Sequence, residues 1–517
     1  LKAKNRTITS LLISRTPRFL AIGTAVGHVV VAFTHGGPVA VPDVSAYLSV
    51  SQWLYGGVLP DGLAYHPGYG FLLGLFGGLT GSDLHTAALI TNGVIAGICV
   101  LMVTRLMERH GAPQWAILCA ALVAALHPSM SAASRIAWPE TALVAVLLAL
   151  GLLVDQDKWT WAGAVAGVSL VLHPRALVIV GAVAVVAVVE RRVRQTLRGG
   201  VPALVVAGLL LQVTGSWPSA RINAARTLGD GPDPLTTIAG QWLALGAGTG
   251  GLALIGLTVA AVTFLKRSWP PSGALLCVSA VGMLVLGGWV LAGSARMDTI
   301  LYGRYIGPWA VPLTVVGLAA VCRGAVTRRL VMALSVSTLA AALLTAAISS
   351  QVTDPGRRIM TLGLGFFWHV FDGRLTLVIL LSLVVVLAGI FGSQRSSLIP
   401  LTLFGLLALA STIVNHVHLH EVGRIADGQV STAQSVPPDV TCLAHDISSK
   451  SYAMWLYRLE LPDIDHRRVN LSAGEEPCGR YVVAAITALD DCDGAKLVGT
   501  EPRANWGLWK YPSQVCN

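Results

Sequence analysis

Hydrophobic positions along this chain of 517 residues fall into long blocks rather than into an alternating or short amphipathic pattern. A helix crossing a bilayer needs about 20 consecutive, mostly apolar residues. That rule marks about thirteen helical spans, near 19–34, 85–104, 113–127, 138–154, 159–172, 175–190, 200–217, 247–265, 273–293, 305–322, 330–349, 375–393 and 399–416. The stretch 67–81 is apolar but short and glycine-rich, and reads as a helix lying at the membrane face. From about 421 the pattern changes to polar residues with short strand-like runs, Arg480–Ile486 and Lys496–Gly499, after a helix-like Ser451–Leu459. The pattern predicts an all-α polytopic membrane protein with a small α/β C-terminal domain. A membrane module takes residues 1–420, including a first loop at 35–84, and the polar domain takes 421–517.

The charges sharpen this picture. With the N-terminus placed on the cytoplasmic side, Lys2, Lys4, Arg6, Arg15, Arg18, Arg105, Arg109, Lys158, Arg191, Arg192, Arg194, Arg198, Lys266, Arg267, Arg323, Arg328, Arg329 and Arg395 all fall on inside loops. This is the positive-inside pattern. An odd number of spans then puts the C-terminal domain outside the cytoplasm, in a multi-pass plasma-membrane protein. Four cysteines of that domain, Cys442, Cys478, Cys492 and Cys516, suit two disulfides in an oxidising compartment, with three connectivities open. The other four, Cys99, Cys119, Cys277 and Cys322, sit in or beside apolar blocks as ordinary small hydrophobes. Hydrophobic residues make up 54% of the chain and charged ones 12%. A soluble domain carries about 25% charge, so composition excludes a soluble protein. The net charge of +10 is scattered over short loops rather than gathered in a basic domain, which argues against nucleic acid as a partner.

Chemistry gathers at the outer ends of the spans. The first loop reads Pro42-Asp43-Val44-Ser45-Ala46-Tyr47, then Trp53, Tyr55-Gly56-Gly57, then Tyr65-His66-Pro67-Gly68-Tyr69-Gly70. Later outer segments read His127-Pro128, Arg135-Ile136-Ala137-Trp138-Pro139-Glu140, Leu172-His173-Pro174-Arg175 and Gly303-Arg304-Tyr305-Ile306-Gly307-Pro308. Asp43 follows a proline and stands where a carboxylate caps the helix starting near Val44. Glu140 stands in the first turn of its helix, where the dipole favours a negative charge.

The order of an Asp just past the first span, a Tyr one helical turn on, a Tyr-Gly pair and an aromatic-x-Pro before an apolar helix resembles the first loop of the GT-C glycosyltransferases. The protein mannosyltransferase, aminoarabinose transferase and actinobacterial mannosyl- and arabinosyltransferase branches share it. That loop carries the family's catalytic acid, so the resemblance implies Asp43 as catalytic base. It implies substrate contacts from Tyr47, Tyr65, His66, Arg135, Glu140, His173, Arg175, Arg304 and Tyr305, with no metal ligands. The family often has two adjacent acids here; Val44 follows Asp43 instead, which favours branches with a lone Asp.

The residue types suit such a reaction on their own terms. A sugar on a polyprenyl phosphate leaves as a phosphate monoester, which needs cationic stabilisation rather than a proton. The acceptor hydroxyl needs a base within hydrogen-bond reach. Arg304 is the choice for the phosphate, with Arg175 and Arg135 behind it, because a guanidinium makes paired hydrogen bonds to phosphate oxygens. Direct displacement inverts the anomeric centre. The expected enzyme moves a single sugar, which the resemblance implies is mannose or arabinofuranose, from a polyprenyl-phosphate donor to a cell-envelope glycan or glycolipid in the lipid bilayer. No cofactor is required, and no divalent cation is indicated. The alternative is a transporter or flippase of lipid-linked glycans, which predicts paired ionisable residues in mid-span; a third reading is a non-catalytic assembly partner.

Three other clusters carry weaker signals. His416-x-His418-x-His420-Glu421 has ligand-like spacing if extended as a strand. Phe366-Phe367-Trp368-His369, with Asp372 and Arg374, reads as an interfacial aromatic segment. Trp506 and Trp509 suit core packing, and stacking on sugar rings as the lesser reading.

Overall fold

The computed structural model describes residues 2–39, 42–59, 66–215, 232–267, 270–292, 296–346, 351–352, 358 and 361–512. The helices are α1 Lys2–Ala32, α2 Pro42–Trp53, α3 Gly68–Leu72, α4 Gly81–Arg109, α5 Gln114–Leu126, α6 Pro128–Ser131, α7 Glu140–Asp155, α8 Trp159–Leu172, α9 Ala176–Val189 and α10 Val193–Val213. There follow α11 Pro234–Ala247, α12 Leu252–Leu265, α13 Pro271–Ala292, α14 Gly303–Cys322, α15 Arg328–Ala346, α16 Gly365–Val370, α17 Leu375–Arg395, α18 Leu398–Asp427 and α19 Ser451–Glu460.

Each of the thirteen apolar stretches carries a helix. By length and composition seven of the described helices can cross a membrane, or up to nine if each sharply bent pair is one span. The difference from thirteen crossings is one of length. At about 1.5 Å per residue, the 14 residues of α8 or α9 fall well short of a hydrocarbon core about 30 Å thick. The outer faces of the long helices are apolar and exposed, as at Leu209, Val213, Val336, Leu343, Leu406 and Ile413, the surface a bilayer covers and water does not. The protein is therefore a multi-pass membrane protein.

Three local expectations are corrected. The 67–81 stretch is not one helix: α3 spans only five residues and is followed by a 3-10 turn, Gly74–Phe76. The segment around 366–369 is not an interfacial belt, because Phe367 and Trp368 of α16 are fully buried in the main core. The His416–His420 run is not a strand; it lies within α18, which runs unbroken past residue 420 to Asp427. Helical spacing keeps His416 and His420 on one face and turns His418 to another, so the three imidazoles do not converge.

One helix was not foreseen. Asp233 caps α11 by accepting a hydrogen bond from Leu235 N at 2.6 Å, with Pro234 in the first helical position. α11 and α12 then meet at 111°. The bend uses Gly250 and Gly251 at φ +57° and +83°, where a side chain is strained.

The polar domain is a five-stranded sheet, β1 Cys442–Asp446, β2 Asp465–Val469, β3 Tyr481–Ala485, β4 Lys496–Thr500 and β5 Trp506–Lys510, in the order β2-β1-β3-β5-β4. β1 pairs parallel with β2 and β3, and β5 pairs antiparallel with β3 and β4. α19 makes the crossover from β1 to β2 and buries Ala453, Leu456 and Tyr457 against Leu443, Val483, Trp506 and Leu508. Trp506 and Trp509 are both core residues. Cys442 is bonded to Cys478, and Cys492 is also in a disulfide; Cys516 lies outside the described residues. Glu501 ties the sheet to the segment after α18, accepting hydrogen bonds from Ser431 N and Oγ at 2.7 Å, Thr432 N at 2.9 Å and Tyr457 Oη at 2.5 Å.

The opposite face of α19 rests on α2. Trp455 packs beside Ala46 and Val50, Gln52 Nε2 donates to Leu459 O at 2.9 Å, and Val58 N donates to Pro462 O at 2.8 Å. The helix carrying Asp43 is thus held by the sheet domain from above.

Within the sheet, His445 Nε2 and His466 Nδ1 are 2.9 Å apart, and His466 Nε2 meets Leu461 O at 3.0 Å. Burial lowers the pKa of His466 from 6.5 to about 4 and holds His445 well below its ordinary value. Folded imidazoles therefore refuse protons that unfolded ones accept, and their stabilising contribution is present above about 6.5 and lost as the pH falls toward 4. Thermal unfolding monitored by tryptophan fluorescence will show a lower midpoint at pH 5 than at pH 7.5. A double His445→Phe, His466→Leu variant will show less of this drop.

Candidate active site

Four charged side chains meet where the N-terminal ends of α2, α7, α9 and α14 converge. Asp43 and Glu140 lie in the first turns of α2 and α7, where the helix dipoles favour negative charge. Arg175 and Arg304 occupy the same ends of α9 and α14, where a cation is disfavoured. Their position is stabilised by the two carboxylates.

Arg304 is the centre of the group. Its Nη1 donates to Asp43 Oδ2 at 2.8 Å and its Nε donates to Glu140 Oε1 at 2.7 Å. Arg175 Nη2 donates to the same Glu140 oxygen at 2.6 Å, while its Nη1 reaches Arg304 O at 3.0 Å and Tyr305 O at 3.4 Å. His173 turns back on the chain, its Nδ1 accepting from Arg175 N at 3.0 Å and lying 3.2 Å from Arg175 Nε. Aromatic faces complete the cradle: Arg304 lies 4.0 Å above the Trp138 ring and Arg175 5.4 Å from the centre of Tyr305.

Two carboxylates and two guanidiniums sum to zero charge. The burial is unequal, since the side chains of Arg304, Glu140 and Arg175 are at most 5% exposed and that of Asp43 is 25% exposed. Asp43 is thus the member that faces outward. Arg304 Nη2 and Glu140 Oε2 are buried and have no hydrogen-bond partner among the described residues. The cluster therefore has a free cationic donor beside an accessible carboxylate, the pairing needed to receive an anion next to a base.

The expected site residues divide as follows. Asp43, Glu140, His173, Arg175, Arg304 and Tyr305 come together. Tyr47, one turn after Asp43, is buried edge-on against Tyr69, with centroids 5.7 Å apart; Tyr69 Oη donates to Asn92 Oδ1, and Asn92 holds the Ile136 and Trp138 carbonyls. His66 is buried with Nδ1 at the Leu170 carbonyl oxygen, at the end of α8. Tyr65 lies outside the described residues. Arg135 joins a different group: Nε donates to His416 Nδ1 at 3.2 Å and Nη2 to Thr34 Oγ1 at 3.0 Å.

Sequence reasoning passed over Trp138, although it stands in the Arg135–Glu140 segment; a tryptophan two residues before a helix-opening acid was the available signal. It also missed Tyr302, buried beside the cluster, and the Arg296–Asp298 pair, with Nε–Oδ1 at 3.0 Å, next to it. Among the described residues no group of three or more His, Cys, Asp or Glu is arranged to hold a metal ion.

No protein-family model and no curated protein sequence matches the chain. Solved structures do. The crystal structure of ArnT from Cupriavidus metallidurans in the apo state superimposes with a TM-score of 0.52 at 14% identity, covering 99% of this chain and 100% of that one. The structure of the same protein bound to undecaprenyl phosphate gives 0.55 at 13% identity, covering 96% and 98%. The likeness runs the whole length of both chains, membrane bundle and sheet domain alike. The architecture is the GT-C fold.

Proposed function

We propose that the protein is a membrane glycosyltransferase that moves one sugar from a polyprenyl-phosphate donor to a hydroxyl of a cell-envelope glycan or glycolipid, with Asp43 as general base. The observation that carries this reading is the bridge Asp43–Arg304–Glu140–Arg175. It joins an outward carboxylate to buried guanidiniums at one point. A structure of like fold holds undecaprenyl phosphate, which supports a polyprenyl phosphate as donor here.

The chemistry follows from the contacts. Glu140 accepts from both arginines and fixes their forks. Arg304 offers its remaining Nη2 to the donor phosphate, and the phosphate competes with Asp43 for Nη1. As the anion takes the guanidinium, Asp43 is released from its ion pair at the moment a base is needed. The acceptor hydroxyl then gives its proton to Asp43 and its oxygen bonds to the anomeric carbon. The bond from that carbon to the phosphate oxygen breaks, and the electron pair leaves on the phosphate. Attack opposite the leaving group inverts the anomeric centre. These side chains carry every step as written, and we propose no cofactor for it. The reading places Asp43 and the sheet domain on the extracytoplasmic side of the plasma membrane, with the N-terminus in the cytoplasm.

The test is transfer by purified protein from radiolabelled polyprenyl-phosphate mannose and arabinofuranose to membrane glycolipids, with the anomeric configuration of the product read by NMR. An inverted product supports the reading. Movement of intact donor across sealed vesicles, with no glycosidic bond formed, sinks it in favour of a transporter.

A further inference from the structure

A second polar cluster gathers around Arg135, whose hydrogen-bond partners are His416 and Thr34 rather than members of the bridge. Arg135 is 8% exposed, and no carboxylate pairs with it among the described residues; its Nη1 is buried without a partner there. A buried guanidinium with no counter-ion is costly. Around it stand imidazoles rather than acids. His416 accepts from Arg135 Nε, and His416 in turn is in electrostatic contact with His28 of α1. Beyond Thr34, His35 bonds Thr86 at 2.7 Å and stacks edge-on with His85. Asp427 is in electrostatic contact with His35.

His28 also closes one end of a groove of about 460 Å³ between α1 and α5. The groove is apolar and open to the lipid side, lined by Phe19, Gly23, Gly27, Leu122 and Leu126 below His28. A Cβ at Gly23 or Gly27 would meet nothing within 4 Å. These glycines therefore leave a channel rather than a helix contact. From Thr16 to His28 the groove follows thirteen residues of α1, whose twelve steps rise roughly 18 Å.

We propose that groove and cluster form one site for a bilayer phospholipid with an anionic head group. One acyl chain lies between α1 and α5, and the phosphate meets Arg135 Nη1 beside His416 and His28. The length argues for this occupant. Roughly 18 Å matches one leaflet of a core about 30 Å thick, so the groove suits an ordinary acyl chain. The cluster also has no carboxylate on Arg135 to act as a base. The site is distinct from the Asp43 bridge, and the proposal stands whether or not the protein transfers sugar.

Native mass spectrometry of the full-length protein in detergent, titrated separately with phosphatidylglycerol, phosphatidylcholine and a polyprenyl phosphate, tests it. Two variants act on different halves of the site. Arg135→Met removes the head-group charge, and Gly23→Leu fills the channel from the lipid side without touching Arg135. The expected result is one phosphatidylglycerol per chain, held more tightly than phosphatidylcholine, with each variant weakening it by about tenfold or more. If Arg135→Met fails to fold, Gly23→Leu decides alone. Equal binding of the two phospholipids, wild-type retention of phosphatidylglycerol by Gly23→Leu, or its displacement by polyprenyl phosphate each overturns the proposal.

Discussion

Asp43→Asn lowers single-turnover sugar transfer by about a hundredfold to ten-thousandfold, the usual contribution of a positioned general base, while the protein stays folded and still binds its donor. Asparagine keeps the shape and a carbonyl oxygen for Arg304 Nη1, so the 2.8 Å contact survives as a weaker hydrogen bond. What disappears is the capacity to take a proton. The stability cost is small, because Asp43 is the least buried member of the group and Arg304 keeps its buried bond to Glu140. The measurement is radiolabel transfer at saturating donor, paired with a melting curve and a donor-binding titration. Undiminished transfer by the variant removes Asp43 from the chemistry.

Glu140→Gln has the larger effect on the fold. One carboxylate oxygen receives Arg304 at 2.7 Å and Arg175 at 2.6 Å. Neutralising it leaves two buried guanidiniums facing each other with only Asp43 at the rim. Removing one partner of a buried ion pair costs about 3–5 kcal/mol. We expect a markedly lower unfolding temperature in detergent together with loss of transfer. Adding Arg175→Gln will restore part of the stability, since it removes the unpaired cation, and will not restore transfer. A double variant no more stable than Glu140→Gln alone contradicts the assigned pairing.

The membrane module was legible in the sequence because lipid imposes a long apolar period on every helix, and all thirteen apolar stretches carry one. α11 escaped because the helix is only 14 residues long, carries Thr236, Thr237 and Gln241, and is cut from α12 by glycines; a span-length window averages such a bend away. The His-x-His-x-His run stands where the last apolar block ends, and the helix of that block simply continues through it to Asp427. At the site, each functional side chain stands beside a proline or at a helix start, which is why most could be named. Their partnerships could not be. Glu140 meets residues 35 and 164 positions away, and no local pattern encodes such distances. The same holds for Arg135, whose likeness to the other arginines ends with its neighbours.

The bond between Cys442 and Cys478 closes a segment of 36 residues, and that segment contains α19. In a chain-entropy account, a loop of that size is worth about 4 kcal/mol. Thiol reagents added during purification therefore act at a distance. They loosen the seat under Gln52 and Val58 first, and with it the alignment of a carboxylate that no cysteine touches, while the membrane helices give no sign of damage.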